Sequence, residues 1–88
     1  ETIKNYRLVL TRFLNDINKK VKTINTDDIR NYLIDIQSNN NMSKASLDNM
    51  RRIISSFFSF LEVEEYIVKN PIKRIPIFFL WNIKFFIN

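Results

Sequence analysis

The sequence predicts an all-α fold, a small orthogonal bundle of four helices with an apolar C-terminal tail. Three observations carry that reading. The chain holds no Gly and only two Pro in 88 residues, so hairpin turns that need a residue at positive φ are disfavoured. Apolar residues recur at i, i+3, i+4 and i+7 through successive segments, which is the periodicity of amphipathic helices. Polar stretches rich in Asn, Ser and Lys separate those segments, and Asn can take the left-handed turn conformation in place of Gly. At this length there is room for one core only.

The first helix starts near Thr2, a candidate N-cap, and runs to about Asn18. Its apolar arc is Ile3, Tyr6, Leu10, Phe13, Leu14 and Ile17, while Lys4, Asn5, Thr11 and Asn15 fall opposite. Leu8 points outward against the pattern. Lys19 and Lys20 follow and suit the negative end of the helix dipole. Thr26 opens the second helix, with Asp27 and Asp28 in its first turn, where carboxylates favour the dipole. Ile29, Tyr32, Leu33 and Ile36 form its apolar stripe, and the run Ser38-Asn39-Asn40-Asn41 ends it.

Ser43 caps the third and longest helix. Leu47, Met50, Ile53, Ile54, Phe57, Phe58 and Leu61 make its apolar face, with Asp48, Arg52, Ser55 and Ser59 facing away and Arg51 at the border. A short fourth helix is expected around residues 64–69, with Tyr66 and Ile67 turned inward. Asn70-Pro71 then reads as a cap followed by a first turn. Residues 76–88 are almost wholly apolar, yet fall short of the roughly 20 residues a spanning helix needs.

Composition excludes much chemistry. With no His and no Cys, neither Ser/His/Asp nor Cys/His catalysis nor a thiolate or imidazole metal site can be built. Without Gly there is no phosphate-cradling Gly-rich loop. Asp27-Asp28 is better read as dipole complementation than as a metal or acid/base pair, and Glu62, Glu64 and Glu65 as a solvated face. No catalytic residue, metal or cofactor is expected.

The charge is more informative. Net charge is +5 and the isoelectric point near 9.8, which favours an anionic partner, nucleic acid before a membrane surface. Residues 1–25 carry six Lys/Arg against two acids. Lys4, Asn5 and Thr11 are read as one exposed polar face of the first helix, and Asn49, Arg52 and Ser56 as another on the third. Lys and Arg contact phosphates, and Asn and Ser/Thr can donate to phosphates or to base edges.

Five pieces stand in order: Thr2-Ile-Lys-Asn-Tyr6-x3-Leu10-x2-Phe13-Leu14; Ile24-x-Thr26-x-Asp28-Ile29-x2-Tyr32-Leu33; Ser43-x2-Ser46-Leu47-Asp48-Asn49; Ile54-x2-Phe57-Phe58-x-Phe60-Leu61; and Tyr66-Ile67-x2-Asn70-Pro71. Over residues 2–75 this order resembles the N-terminal core-binding (SAM-like) domain of the tyrosine recombinases, or phage integrases. The resemblance implies a four-helix SAM-like domain at 1–75 that clamps one face of duplex DNA at a recombination site. Strand cleavage and joining would belong to a separate C-terminal domain, so this chain is expected not to be an enzyme. It implies DNA contacts from the first helix and from the start of the third. Carried over by position, these are Lys4, Asn5, Thr11, Ser43, Lys44, Ser46, Asn49 and Arg52. Other recombinase protomers on DNA are implied partners, in the cytoplasm of a bacterium or its phage, and membrane association is not expected. Tyr6, Tyr32 and Tyr66 are expected as core residues rather than nucleophiles.

The chain departs from the family pattern in places. It has Ser46 where Thr is usual, Arg51 where an apolar residue is favoured, Ser55 where a base is favoured and Glu65 where Gly is frequent. Residues 76–88 depart most, and read either as a truncated or frameshifted linker or as a packing or dimerisation segment. The competing function is a helical protein-interaction module without DNA binding, using Leu8, Ile34 and the aromatic tail.

Overall fold

The computed structural model describes residues 2–40, 42–73 and 75, with side chains from Asn5 onward. Three α-helices, α1 (Thr2–Ile17), α2 (Thr26–Asn40) and α3 (Lys44–Val63), are joined by a 3-10 turn at Val21–Thr23 and a short α2–α3 link. No strand occurs among the described residues. Both α1 and α2 pack on α3.

Local chemistry sets the ends of each helix. α1 stops where Asn18 turns left-handed at φ 51°, its N–H bonding back to Leu14 O at 3.0 Å. Asn tolerates that region better than most residues that carry a Cβ. α2 is opened by a reciprocal pair. Asp28 N–H donates to Asn25 Oδ1 at 2.9 Å, and Asn25 N–H donates to Asp28 Oδ2 at 3.0 Å, the logic of a capping box built from Asn and Asp. Lys19 closes on the same carboxylate at 2.6 Å. Lys19 thus serves a neighbouring element rather than the end of α1. Thr26 begins α2, but its hydroxyl donates to Pro71 O at 2.7 Å, tying the helix start to the chain 45 residues later. α2 extends through Ser38 and Asn39 to Asn40, past the expected stop. Asn40 Nδ2 donates to Ile36 O at 3.1 Å and holds the last turn. Ser43 caps α3 as expected, accepting from Ser46 N–H at 3.1 Å.

The expected fourth helix does not form. Glu65 sits at φ 63°, and a left-handed residue cannot continue an α-helix. Tyr66 N–H bonds Leu61 O at 2.9 Å and Glu65 N–H bonds Glu62 O at 3.1 Å. That double closure is a Schellman cap, here with Glu in the place Gly favours. Residues 64–69 are therefore turn and bend. Tyr66 is correspondingly 59% exposed rather than inward, and Tyr6 is 36% exposed, so of the three tyrosines only Tyr32 is core. Ile67 is half-buried against the core, and so is Ile34, which was expected outside.

The core runs through Phe13, Ile24, Ile29, Leu33, Ile36, Leu47, Met50, Ile54, Phe58 and Leu61, and is closed by Ile72 and Ile75. Phe13 is its hinge point. Its ring meets Tyr32 of α2 edge-on at 5.2 Å and Phe58 of α3 at 6.1 Å. Asn70 is a buried polar residue beside this core, 5% exposed. Its amide donates to Ser59 Oγ at 3.1 Å and to Ser55 O at 3.5 Å, and its Oδ1 accepts from Ile72 N–H at 3.0 Å. The side of α3 carrying Ser55 and Ser59, expected to face solvent, thus holds the 70–75 segment in place. The tail at 76–88 lies outside the described residues, as does the side chain of Lys4.

Candidate nucleic-acid interface

The polar residues on α1 and α3 meet across a cleft of about 450 Å³, lined by Asn5, Leu8, Val9 and Arg12 of α1 and by Met42, Ala45, Ser46, Asn49 and Met50. Helical spacing explains the lining. Asn5, Leu8, Val9 and Arg12 are at i, i+3, i+4 and i+7, one stripe of α1, while Ala45, Ser46 and Asn49 share one side of α3. Val9, Met42 and Met50 supply an apolar floor packed against the core. Above it stand two carboxamides, a hydroxyl and a guanidinium, all on exposed residues. These groups can donate to phosphate oxygens or base edges.

Of the expected site residues, Asn5, Ser46 and Asn49 come together here. Thr11 is exposed but lies six residues from Asn5, about 120° round the helix, so the two do not share a face. Arg12, seven residues from Asn5, does. It is not among the expected contacts, although its i, i+7 spacing from Asn5 was legible in the sequence. Ser43 and Ser46 are joined through their hydroxyls at 3.1 Å, with Ser43 Oγ also engaged as the cap. Lys44 is exposed on the neighbouring side of α3.

Arg52 is held rather than free. Its Nε lies 3.0 Å from Asp48 Oδ2, while Arg51 approaches Asp48 Oδ1 through Nη2 at 3.0 Å and Nε at 3.1 Å. Asp48, expected to face away, is mostly covered by these two guanidiniums. Arg52 itself stays 70% exposed. Arg51, where the family pattern favours an apolar residue, is accommodated by this pairing. Arg12 approaches Asp16 at 3.7 Å, a loose pair between exposed groups.

No group of three or more His, Cys, Asp or Glu that could hold a metal occurs among the described residues. No helix among them is long and apolar enough to cross a membrane. Among protein families, the model described as phage integrase, N-terminal SAM-like domain, matches residues 1–67. No curated protein and no solved structure matches the chain at a comparable standard.

Proposed function

The chain belongs to the phage integrase N-terminal SAM-like domain family, and from that premise we propose that it is the DNA-binding module of a site-specific tyrosine recombinase. In this reading it clamps duplex DNA at the recombination site, while strand cleavage and joining are the work of another domain. The observation that carries the reading is the α1–α3 cleft, where Asn5, Arg12, Ser46 and Asn49 converge from two helices, with Lys44 and Arg52 exposed beside it.

The physical logic is a division of labour. Lys44, Arg12 and Arg52 would meet phosphates, and Asn5, Ser46 and Asn49 would reach phosphates or base edges. Asp48 fixes Arg52 through Nε, which orients the remaining guanidinium nitrogens outward at low entropic cost. Lys4, Thr11 and Ser43 belong to the same proposal as peripheral contacts. Other recombinase protomers bound to the same DNA are the proposed protein partners.

The test is duplex binding measured as a function of salt. If about six phosphates are contacted, log K falls with log salt at a slope of roughly −5. Charge reversal at Lys44 and Arg52 together should abolish binding while the thermal melt stays within a few degrees. Absence of binding to any duplex, or binding indifferent to salt and to the reversal, overturns the proposal.

A further inference from the structure

Arg12 stands on the ridge between two grooves. On one side is the α1–α3 cleft, where it stands with Asn5, Ser46 and Asn49. On the other is a groove of about 430 Å³ between α1 and α2, lined by Arg12, Asp16, Tyr32, Asp35 and Asn39. One guanidinium thus borders both surfaces.

In the α1–α2 groove the polar groups are incompletely matched. Arg12 and Asp16 are neighbours on α1 at i, i+4, yet Arg12 Nε lies 3.7 Å from Asp16 Oδ2. A well-made charge-assisted bond is about 2.7–2.9 Å. Across the groove Tyr32 is 7% exposed, and its buried hydroxyl has no well-formed hydrogen bond among the described residues. Burial pushes this phenol up to about 12; the Asp16 carboxylate adds to that shift and the Arg12 guanidinium opposes it. One carboxylate therefore stands between two donors and satisfies neither. With Arg12 drawn onto a phosphate, the charge of Asp16 is no longer partly neutralised. Its bond from the phenol then strengthens, since a hydrogen bond to a charged acceptor is roughly twice as strong as a neutral one.

Resting on the DNA-binding reading above, we propose that Asp16 and Tyr32 are positioning residues that act through Arg12. Asp16 restrains the guanidinium in the free chain and releases it to a DNA phosphate by closing on the Tyr32 hydroxyl. Neither Asp16 nor Tyr32 touches DNA. The cost of breaking the Arg12–Asp16 pair is offset inside the protein, by a hydrogen bond that the free chain lacks.

Duplex binding at low salt, followed by fluorescence anisotropy on the 88-residue chain and its variants, tests it. Asp16→Asn removes the restraining charge but keeps an oxygen for the phenol, and binding tightens about two- to fivefold, the range an exposed ion pair spans. Tyr32→Phe removes the hydroxyl that takes over Asp16, and binding weakens by a similar factor. The ring that packs edge-on against Phe13 is kept, and a melting temperature no lower than that of the parent chain verifies the fold. Both effects vanish when the same substitutions are made in an Arg12→Ala chain, whose own salt slope is shallower by about one. Asp35→Asn takes the same charge from the same groove and changes binding less than Asp16→Asn does. If the parent chain binds duplex but Asp16→Asn acts no differently from Asp35→Asn, or Tyr32→Phe has no effect, or either effect persists without Arg12, the proposal is overturned and the DNA-binding reading stands. A parent chain that binds no duplex overturns both.

Discussion

Two residues carry conformational or polar burdens that single substitutions can lift. Glu65 occupies the left-handed region at φ 63°, where a Cβ costs about 1 kcal/mol and Gly costs nothing. Glu65→Gly is expected to raise stability by up to about 1 kcal/mol, read as a Tm increase of about 4–8 °C for a domain this size. The Tyr32 hydroxyl is buried with no well-formed hydrogen bond among the described residues, only the Asp16 carboxylate acting on it as an acceptor, and a poorly paired buried hydroxyl costs up to about 1–3 kcal/mol. Tyr32→Phe should therefore hold or raise stability in chemical denaturation. The same phenol is pushed up to about 12, first by burial and then by the Asp16 carboxylate. Its folded value lies above its unfolded value of 10.0, so its contribution is complete below pH 10 and is lost as pH rises towards 12. The alkaline limb of the stability curve should be flatter in Tyr32→Phe.

Among the elements, the caps and the Asn70 clamp decide how the helices begin, end and stay together. Ser43→Ala removes the acceptor for Ser46 N–H and should cost about 1 kcal/mol. Asn70→Ala is expected to cost more, about 2 kcal/mol, because it strands Ser59 Oγ and the Ile72 N–H inside the protein. Asp28 is held below its usual value, mainly by the hydrogen bond from Lys19 and next by the Asn25 N–H. A depressed carboxylate stabilises the fold above pH 3.8 and gives up that contribution as pH falls below it. Asp28→Asn should accordingly flatten the acid limb of the stability curve.

Much at this scale was legible in the sequence. The starts of α2 and α3 and the apolar stripes follow from periodicity and from cap-forming residues read locally. The end of α2 was less legible, since Asn is both a turn former and, as Asn40 shows, a residue whose amide can stabilise the last helical turn. The missing fourth helix was not legible from local propensity. Glu is a good helix former, and nothing local says that Glu65 must adopt a positive φ. The clue lay in the family pattern, where Gly is frequent at that position.

For the whole molecule, Phe13 joins the three helices through Tyr32 and Phe58. Phe13→Ala should cost about 3–5 kcal/mol, a large share of what a domain of this size has, and leave the chain largely unfolded by circular dichroism at room temperature. Substitutions at Asn5, Arg12, Ser46 and Asn49 in the α1–α3 cleft are expected to weaken duplex binding, the readout of the proposed function.

The sequence by itself determined the all-helical class, most of the core and the absence of His and Cys chemistry, which depend on composition and on the 3.6-residue period, and the family, which rests on the order and spacing of the five motif pieces. Only the tertiary structure decided that Asn5 meets Ser46 and Asn49 in one cleft with Arg12, and that Asp48 holds both arginines. It alone also showed that Asn70 turns one side of α3 into an internal surface and that Tyr66 stays outside. Each of those outcomes depends on how one helix is rotated against another or on where the chain takes a left-handed turn, and helical periodicity within a single segment carries no information about either.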